Sequence, residues 1–529
     1  MNYLMKGIYK LILAFCTVAL MTGCIGKFEE YNRNPYQPPT VPKSNLLSSM
    51  FNVYASPQQN DCQFNNTMWA CYSGHVTTPT NWNRGTGVFA YFNPEDGWNQ
   101  STTNTFFSKI YSPLFIIEES TGKVGVIYAI AQLTRIHAMQ QVATMQGPIP
   151  YSQVKAGNTQ VAYDDEPTAW AAMFDDLDAV IDVLKANPTG IDEDLAEVDQ
   201  IYNGSLAKWL KFANTLKLRM AIRISGADPV LAQKKAEEAV ADGVMTGVAD
   251  SAYDNTNSGQ TNNGYKIIDD WGELKANACL VSYMNGYEDP RRSAYFTEAE
   301  SYLGGGYIGV RSGTTTPPSP GTYSGYSSFK IANVAGNGKS DPGENPMPIM
   351  YASEAAFLRA EGALKGWNMD GTAQALYEEG IRLSFEEFGV SGADSYITNS
   401  TLTPGDHRDP TYASDDYSNK SEITIAWNEG ATDAEKLERI ITQKWIANLL
   451  NPIEGWADFR RTGYPRIFPP AVNASPDGCT LERQMRRLKF PLSEYNGNRE
   501  NTEAAAAFLS GGDKFSSDLW WALKANGQY

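Results

Sequence analysis

The segment from Leu437 to Pro465 leaves this chain few ways to fold. Its first half, Leu-Glu-Arg-Ile-Ile-Thr-Gln-Lys-Trp-Ile-Ala-Asn-Leu-Leu, puts Leu437, Ile440, Ile441, Trp445 and Leu449 on one apolar stripe with helical spacing. Pro452 is expected to end that helix, because proline has no N–H to donate and disfavours helix in the residue before it. The second half crowds Glu454, Trp456, Asp458, Arg460 and Arg461 together and closes with Gly463 and Pro465. Aromatics wrapped in opposite charges predict a buried or half-buried ion-pair network locking a helix end to its neighbour. An active site can have the same composition, since acids beside arginine shift their pKa values. Structural networks do this too, and the structural reading is the one taken.

Further helices are predicted on both sides. From Thr103 to Leu184 one stripe runs through Val126, Ile127, Ile130, Leu133 and His137, another through Trp170, Phe174, Leu177, Ile181 and Leu184. The breaker cluster Gly147-Pro148-Ile149-Pro150-Tyr151-Ser152 separates them. Leu206, Trp209, Leu210, Ala213, Leu216 and Met220 mark the next helix, and two more are expected at Ser353–Lys365 and Thr372–Phe388. Helices in pairs joined by breakers describe a helical-hairpin array without a strict repeat consensus.

Two stretches lack periodicity: 61–104, with Trp69, Tyr72, Asn81-Trp82-Asn83, Phe89, Tyr91 and Trp98, and 250–348, with Trp271, Tyr283, Tyr302, Tyr307, Tyr323 and Tyr326. Loops this long in a compact protein are usually functional. Sugar rings lay apolar C–H faces on Trp and Tyr, while Asn side chains and backbone groups take the hydroxyls. Trp82 between Asn81 and Asn83 has that composition. The expected ligand-binding residues are therefore Asn81, Trp82, Asn83, Trp98, Trp271, Tyr323 and Tyr326, each weighed against simple loop packing.

Catalysis finds little support. His75, His137 and His407 are far apart and in no metal-ligand spacing, and His137 on an apolar helix face reads as core. Gly-x-Ser-x-Gly, Walker and His-Glu-x-x-His patterns are missing. Asp415-Asp416-Tyr417-Ser418-Asn419 lacks the glycine and terminal glutamate of a calcium-binding helical hand and reads as a solvated acidic loop. No catalytic residue, metal or cofactor is expected. A formal charge of −17 with no basic run argues against nucleic acid. Cys62 and Cys71 could pair in an oxidising compartment or be two small buried residues; the sequence leaves both open.

The N-terminus suggests an address. Lys6 and Lys10 precede an apolar run, Leu11–Leu20, too short to span a bilayer, and Leu20-Met21-Thr22-Gly23-Cys24 follows. This resembles a bacterial lipobox. Residues 1–23 are expected to be a lipoprotein signal peptide, Cys24 the lipidation site and 24–44 an extended, proline-rich tether. The membrane is then reached through the lipid anchor alone.

Gln443-Lys444-Trp445, followed by Glu454-x-Trp456-x-Asp458-x-Arg460-Arg461-Thr462-Gly463-Tyr464-Pro465, resembles the C-terminal signature of the SusD/RagB family of nutrient-binding outer-membrane lipoproteins, in its SusD-like branch. Residues 32–35, 147–152, 208–223, 354–367, Asp289-Pro290-Arg291, Arg486–Pro491, Gly511–Asp513 and Trp520-Trp521 also match family elements, with Arg291 the expected structural anchor. Lys27, Glu29 and Glu30 resemble a lipoprotein surface-export signal. The resemblance implies a mainly α fold: irregular tetratricopeptide-like hairpins packed against a loop-rich half, forming one domain over 45–529. It implies a non-enzymatic, outer-membrane, lipid-anchored protein facing the cell exterior. Such a protein captures an oligosaccharide and delivers it to a TonB-dependent, SusC-like transporter. Peptides or protein fragments are the alternative ligand on the same architecture.

Overall fold

A computed structural model describes residues 42–51, 69–78, 89–187, 190–254, 267–268, 271–315, 321–330, 346–449 and 451–524. Helices dominate. The first is α1, Lys43–Phe51, followed by the single-turn α2, Trp69–Tyr72. The long helices α3 (Asp96–Thr121), α4 (Val126–Gln146) and α5 (Glu166–Lys185) come next, then α6 (Leu206–Ile224) and α7 (Pro229–Asp242). The C-terminal half adds α8 (Ala278–Gly286), α9 (Ala352–Leu364), α10 (Ala373–Glu387), α11 (Asp433–Ala447), α12 (Pro452–Thr462) and α13 (Leu492–Gly497).

Neighbours in sequence pack as hairpins: α3 on α4, α4 on α5, α6 on α7, α9 on α10. α6 and α11 both pack against α9, which joins the array into one core. The caps explain where helices start. Asp165 accepts from Thr168 N at the head of α5, and Thr432 and Glu435 form a capping box on α11. Gly147 ends α4 at φ +93°, and a Cβ there would come within 2.7 Å of Leu519.

Three expectations change. The helix through Trp445 stops at Ala447, and Pro452 opens α12 instead of terminating α11; a proline fits the first helical turn because that N–H has no intrahelical partner anyway. The stretch 61–104 holds α2, a 3₁₀ turn at Phe89–Tyr91 and the start of α3. The opening of α3, Asp-Gly-Trp-Asn-Gln-Ser-Thr-Thr-Asn, is polar and so has no stripe to read. The stretch 250–348 holds α8, whose Ala278–Met284 run is buried on every side and so shows no amphipathic period.

Among the described residues two small antiparallel ladders form: β1 (Val76–Thr77) with β3 (Lys275–Ala276), and β2 (Ala252–Asp254) with β4 (Met347–Met350). Among the described residues no helix is long and apolar enough to cross a membrane.

Candidate functional site

The charged cluster foreseen around Trp456 is fully buried. Arg219 grips Glu354 with two bonds of 2.7 and 2.8 Å, and Arg223 reaches Glu454 at 2.5 Å. Lys444 donates to Asp458 at 2.9 Å, and Arg461 bridges Asp458 and Glu361 at 3.0 and 2.5 Å. Arg460 lies 3.5 Å over the Trp456 ring and donates to the Thr144 and Arg486 carbonyls. Four helices (α6, α9, α11 and α12) are thereby tied together. Burial pushes the Asp458 carboxyl up, but Lys444 and Arg461 outweigh it and hold the group at about 2. Every acid here faces an arginine or lysine, and the cluster is structural.

The histidines are also absorbed. Burial takes His75 down to about 4 and His137 to about 3, so both are neutral at physiological pH. His75 Nε2 lies 3.0 Å from the Trp445 carbonyl, and His137 packs on Phe212. Arg291 is the expected anchor: wholly buried, it binds Asp289, Ser384 and Gln443.

The loop-rich half is built on β1–β3. Val76 pairs with Ala276 and Thr77 with Lys275, so the chain leaves β1 through Thr78 at the end where it enters β3 through Leu274. The other edge of β3 takes two more arms: Ala276 N donates to Ser327 O, and Val310 N to Ala276 O. Lys275 Nζ reaches the Ser324 carbonyl. Asn277 Nδ2 binds Val76 O and Ser312 Oγ, fastening three segments with one amide. Arms distant in sequence thus spring from one short ladder.

Of the residues expected to bind ligand, Asn81, Trp82 and Asn83 lie outside the described residues. Trp98 sits in the first turn of α3, its side chain outside the description, and Trp271 is half-buried against the main core. Tyr323 and Tyr326 must be corrected. Both are buried with Val310 in a satellite core, packed edge-on to each other at 5.2 Å, and Tyr326 donates to Asp409. Neither offers a ring face to a ligand. They hold the loops up instead. The 415–419 segment is also less solvated than expected: Asp415 is buried and accepts from Thr315 N and Oγ1. Cys71 is a buried thiol, and Cys62 lies outside the described residues.

One aromatic was passed over. Tyr302 is 72% exposed, carried on a 3₁₀ turn ahead of three glycines at positive φ, Gly304, Gly305 and Gly306. Its hydroxyl lies across Gly325, where a Cβ would come within 2.2 Å. The glycine run directly behind it was the available signal.

The chain matches the family model for SusD-like proteins, the SusD and RagB outer membrane lipoproteins, over residues 39–522. Among solved structures it is similar to a SusD-like protein from Bacteroides thetaiotaomicron, with 57% identity and a TM-score of 0.88 over 92% of this chain and 100% of that one. A SusD homologue from Bacteroides ovatus shares 36% identity at a TM-score of 0.82, covering 91% and 99%. A chitin-binding SusD homologue from Flavobacterium johnsoniae shares 32% identity at a TM-score of 0.83, covering 91% and 99%. No curated protein matches. With its helical hairpins, its loop-rich half and the family model matched over most of its length, the chain belongs to the SusD-like family of outer-membrane lipoproteins.

Proposed function

We propose that this protein is a cell-surface lipoprotein, anchored through Cys24, that captures an oligosaccharide without cleaving it and delivers it to a SusC-like, TonB-dependent transporter. The observation carrying the ligand class is its likeness, at 32% identity over nearly the full chain, to a homologue that binds chitin. The loop half supports the placement. Its arms meet at β1–β3, so Trp271 and Tyr302 belong to segments that one scaffold brings together. Rings carried on such arms stack on pyranose faces, and neighbouring amides take hydroxyl hydrogen bonds. Asp458 and Glu361 are held ionised by paired cations, which suits structure better than proton transfer.

The test is a binding screen of the purified protein against plant, host and microbial glycans and a peptide digest, with product analysis of every mixture. Capture predicts oligosaccharide binding, no breakdown products, and loss of binding in Trp82→Ala. Appearance of shortened products would overturn the non-enzymatic reading. Binding to peptides alone would move the ligand class.

A further inference from the structure

One glycine in the loop half has a use that its own backbone does not explain. Gly325 is not among the glycines at positive φ, so its conformation does not bar a side chain. Space does. A Cβ there would meet the Tyr302 hydroxyl first, then Cζ at 2.7 Å and Cε1 at 3.1 Å. The three nearest atoms all belong to one exposed ring, so the missing side chain serves Tyr302.

Both sides of this contact are held. The Ser324 and Tyr326 carbonyls accept from Lys275 Nζ at 3.1 and 3.3 Å, and the Gly325 carbonyl between them accepts from Glu300 N at 2.9 Å. Lys275 belongs to β3, so the seat is fastened to the ladder from which the arms spring. Opposite it, Ala299 N donates to Gly306 O and closes the turn carrying Tyr302, while Leu303 packs against the satellite core. The neighbouring rings are taken up by other contacts. Tyr323 and Tyr326 pack on each other, and Tyr307 leans on Phe296 and has Arg292 over its ring. Tyr302 stays mostly open to solvent. A ring seated at its hydroxyl end yet open elsewhere suits stacking, because little rotamer freedom is left to lose on binding.

We infer that Gly325 is a positioning residue of the glycan site. Lacking a side chain, it seats the Tyr302 ring in one orientation as a ready stacking face for a pyranose. This role rests on the glycan capture proposed above.

The test uses the full chain in detergent, with triacetylchitotriose and the glycans of the screen titrated by calorimetry. A second readout needs no ligand: 3-fluorotyrosine at position 302, followed by fluorine NMR. Gly325→Ala displaces only the end of a solvent-facing side chain, so the thermal midpoint should stay put. The fluorine resonance should shift or split, and glycan affinity should fall by about threefold or more, the cost of ordering a freed ring. Tyr302→Ala should cost about tenfold, and Gly325→Ala added to it should cost nothing further. An unmoved fluorine resonance, an unchanged affinity in Gly325→Ala, or a full additive loss in the double variant would each overturn the positioning role and leave capture standing. Failure of the unaltered protein to bind any glycan of the screen would overturn capture and this role together.

Discussion

The helical half and the loop half are stabilised in opposite ways. Where α6, α9, α11 and α12 meet, charges are fully desolvated and matched one to another, as in Arg219–Glu354, Arg461–Glu361 and Lys444–Asp458. In the loop half, a ladder of two residue pairs, one asparagine amide and a satellite cluster of Val310, Tyr323 and Tyr326 position the arms. Buried ion pairs are unforgiving, because removing one partner strands the other. A hydrogen-bonded loop face can change its exposed side chains at little cost. A chain divided this way can keep one frame while its ligand surface varies.

The strongest way to break the comparison is to strand charges. Arg461→Met leaves Asp458 and Glu361 without their shared guanidinium and should lower unfolding free energy by roughly 3–5 kcal/mol in urea titrations. A loss below about 1 kcal/mol would show that the cluster tolerates vacancy.

The pH dependence of Glu166 comes next. Burial raises this carboxyl to about 7, so its folded-state value lies above its unfolded one. Its protonated form is favoured by folding, and stability falls as pH climbs from about 4.5 toward 7 and stays reduced above. Glu166→Gln keeps an oxygen for the Trp520 amide and should recover roughly 3 kcal/mol at pH 8 and little at pH 4. An equal effect at both pH values would count against the buried carboxyl.

Asp458 behaves in the opposite sense. Its folded value of about 2 lies below the unfolded one, so its contribution is full above about pH 4 and disappears as pH falls toward 2. Roughly 2 kcal/mol should vanish across that window in acid unfolding, and less in Asp458→Asn.

Two tyrosines sharpen the contrast inside the loop half. Tyr326→Phe removes the bond to Asp409 and should cost about 1 kcal/mol. Tyr302→Ala should change thermal stability by less than about 0.5 kcal/mol while weakening glycan binding. If Tyr302→Ala destabilised more than Tyr326→Phe, the division between support and display would be misplaced.

Most of the helical half was legible because its physics is periodic or compositional. Trp445 and Trp170 mark stripes that became buried faces, and the acid–arginine crowd around Trp456 became the network it suggested. The resemblance to the SusD/RagB family carried the tetratricopeptide-like hairpins and the loop-rich half that stripes alone could not join. Legibility failed where the signal vanishes. α8 is apolar on all sides and has no period, and Pro452 reads the same whether a helix ends before it or begins on it. Tyr323 and Tyr302 are the same residue type in similar glycine-rich surroundings; only the folded chain shows that Val310 and Tyr412 cover the first and leave the second exposed.

Hydrogen exchange on the protein with and without the tightest-binding oligosaccharide from the glycan screen tests the division most directly. Capture on the loop half predicts added protection in peptides from 271–327, with the amides of α6, α9, α11 and α12 unchanged. Protection confined to 103–163, with the loop arms unaffected, would contradict it.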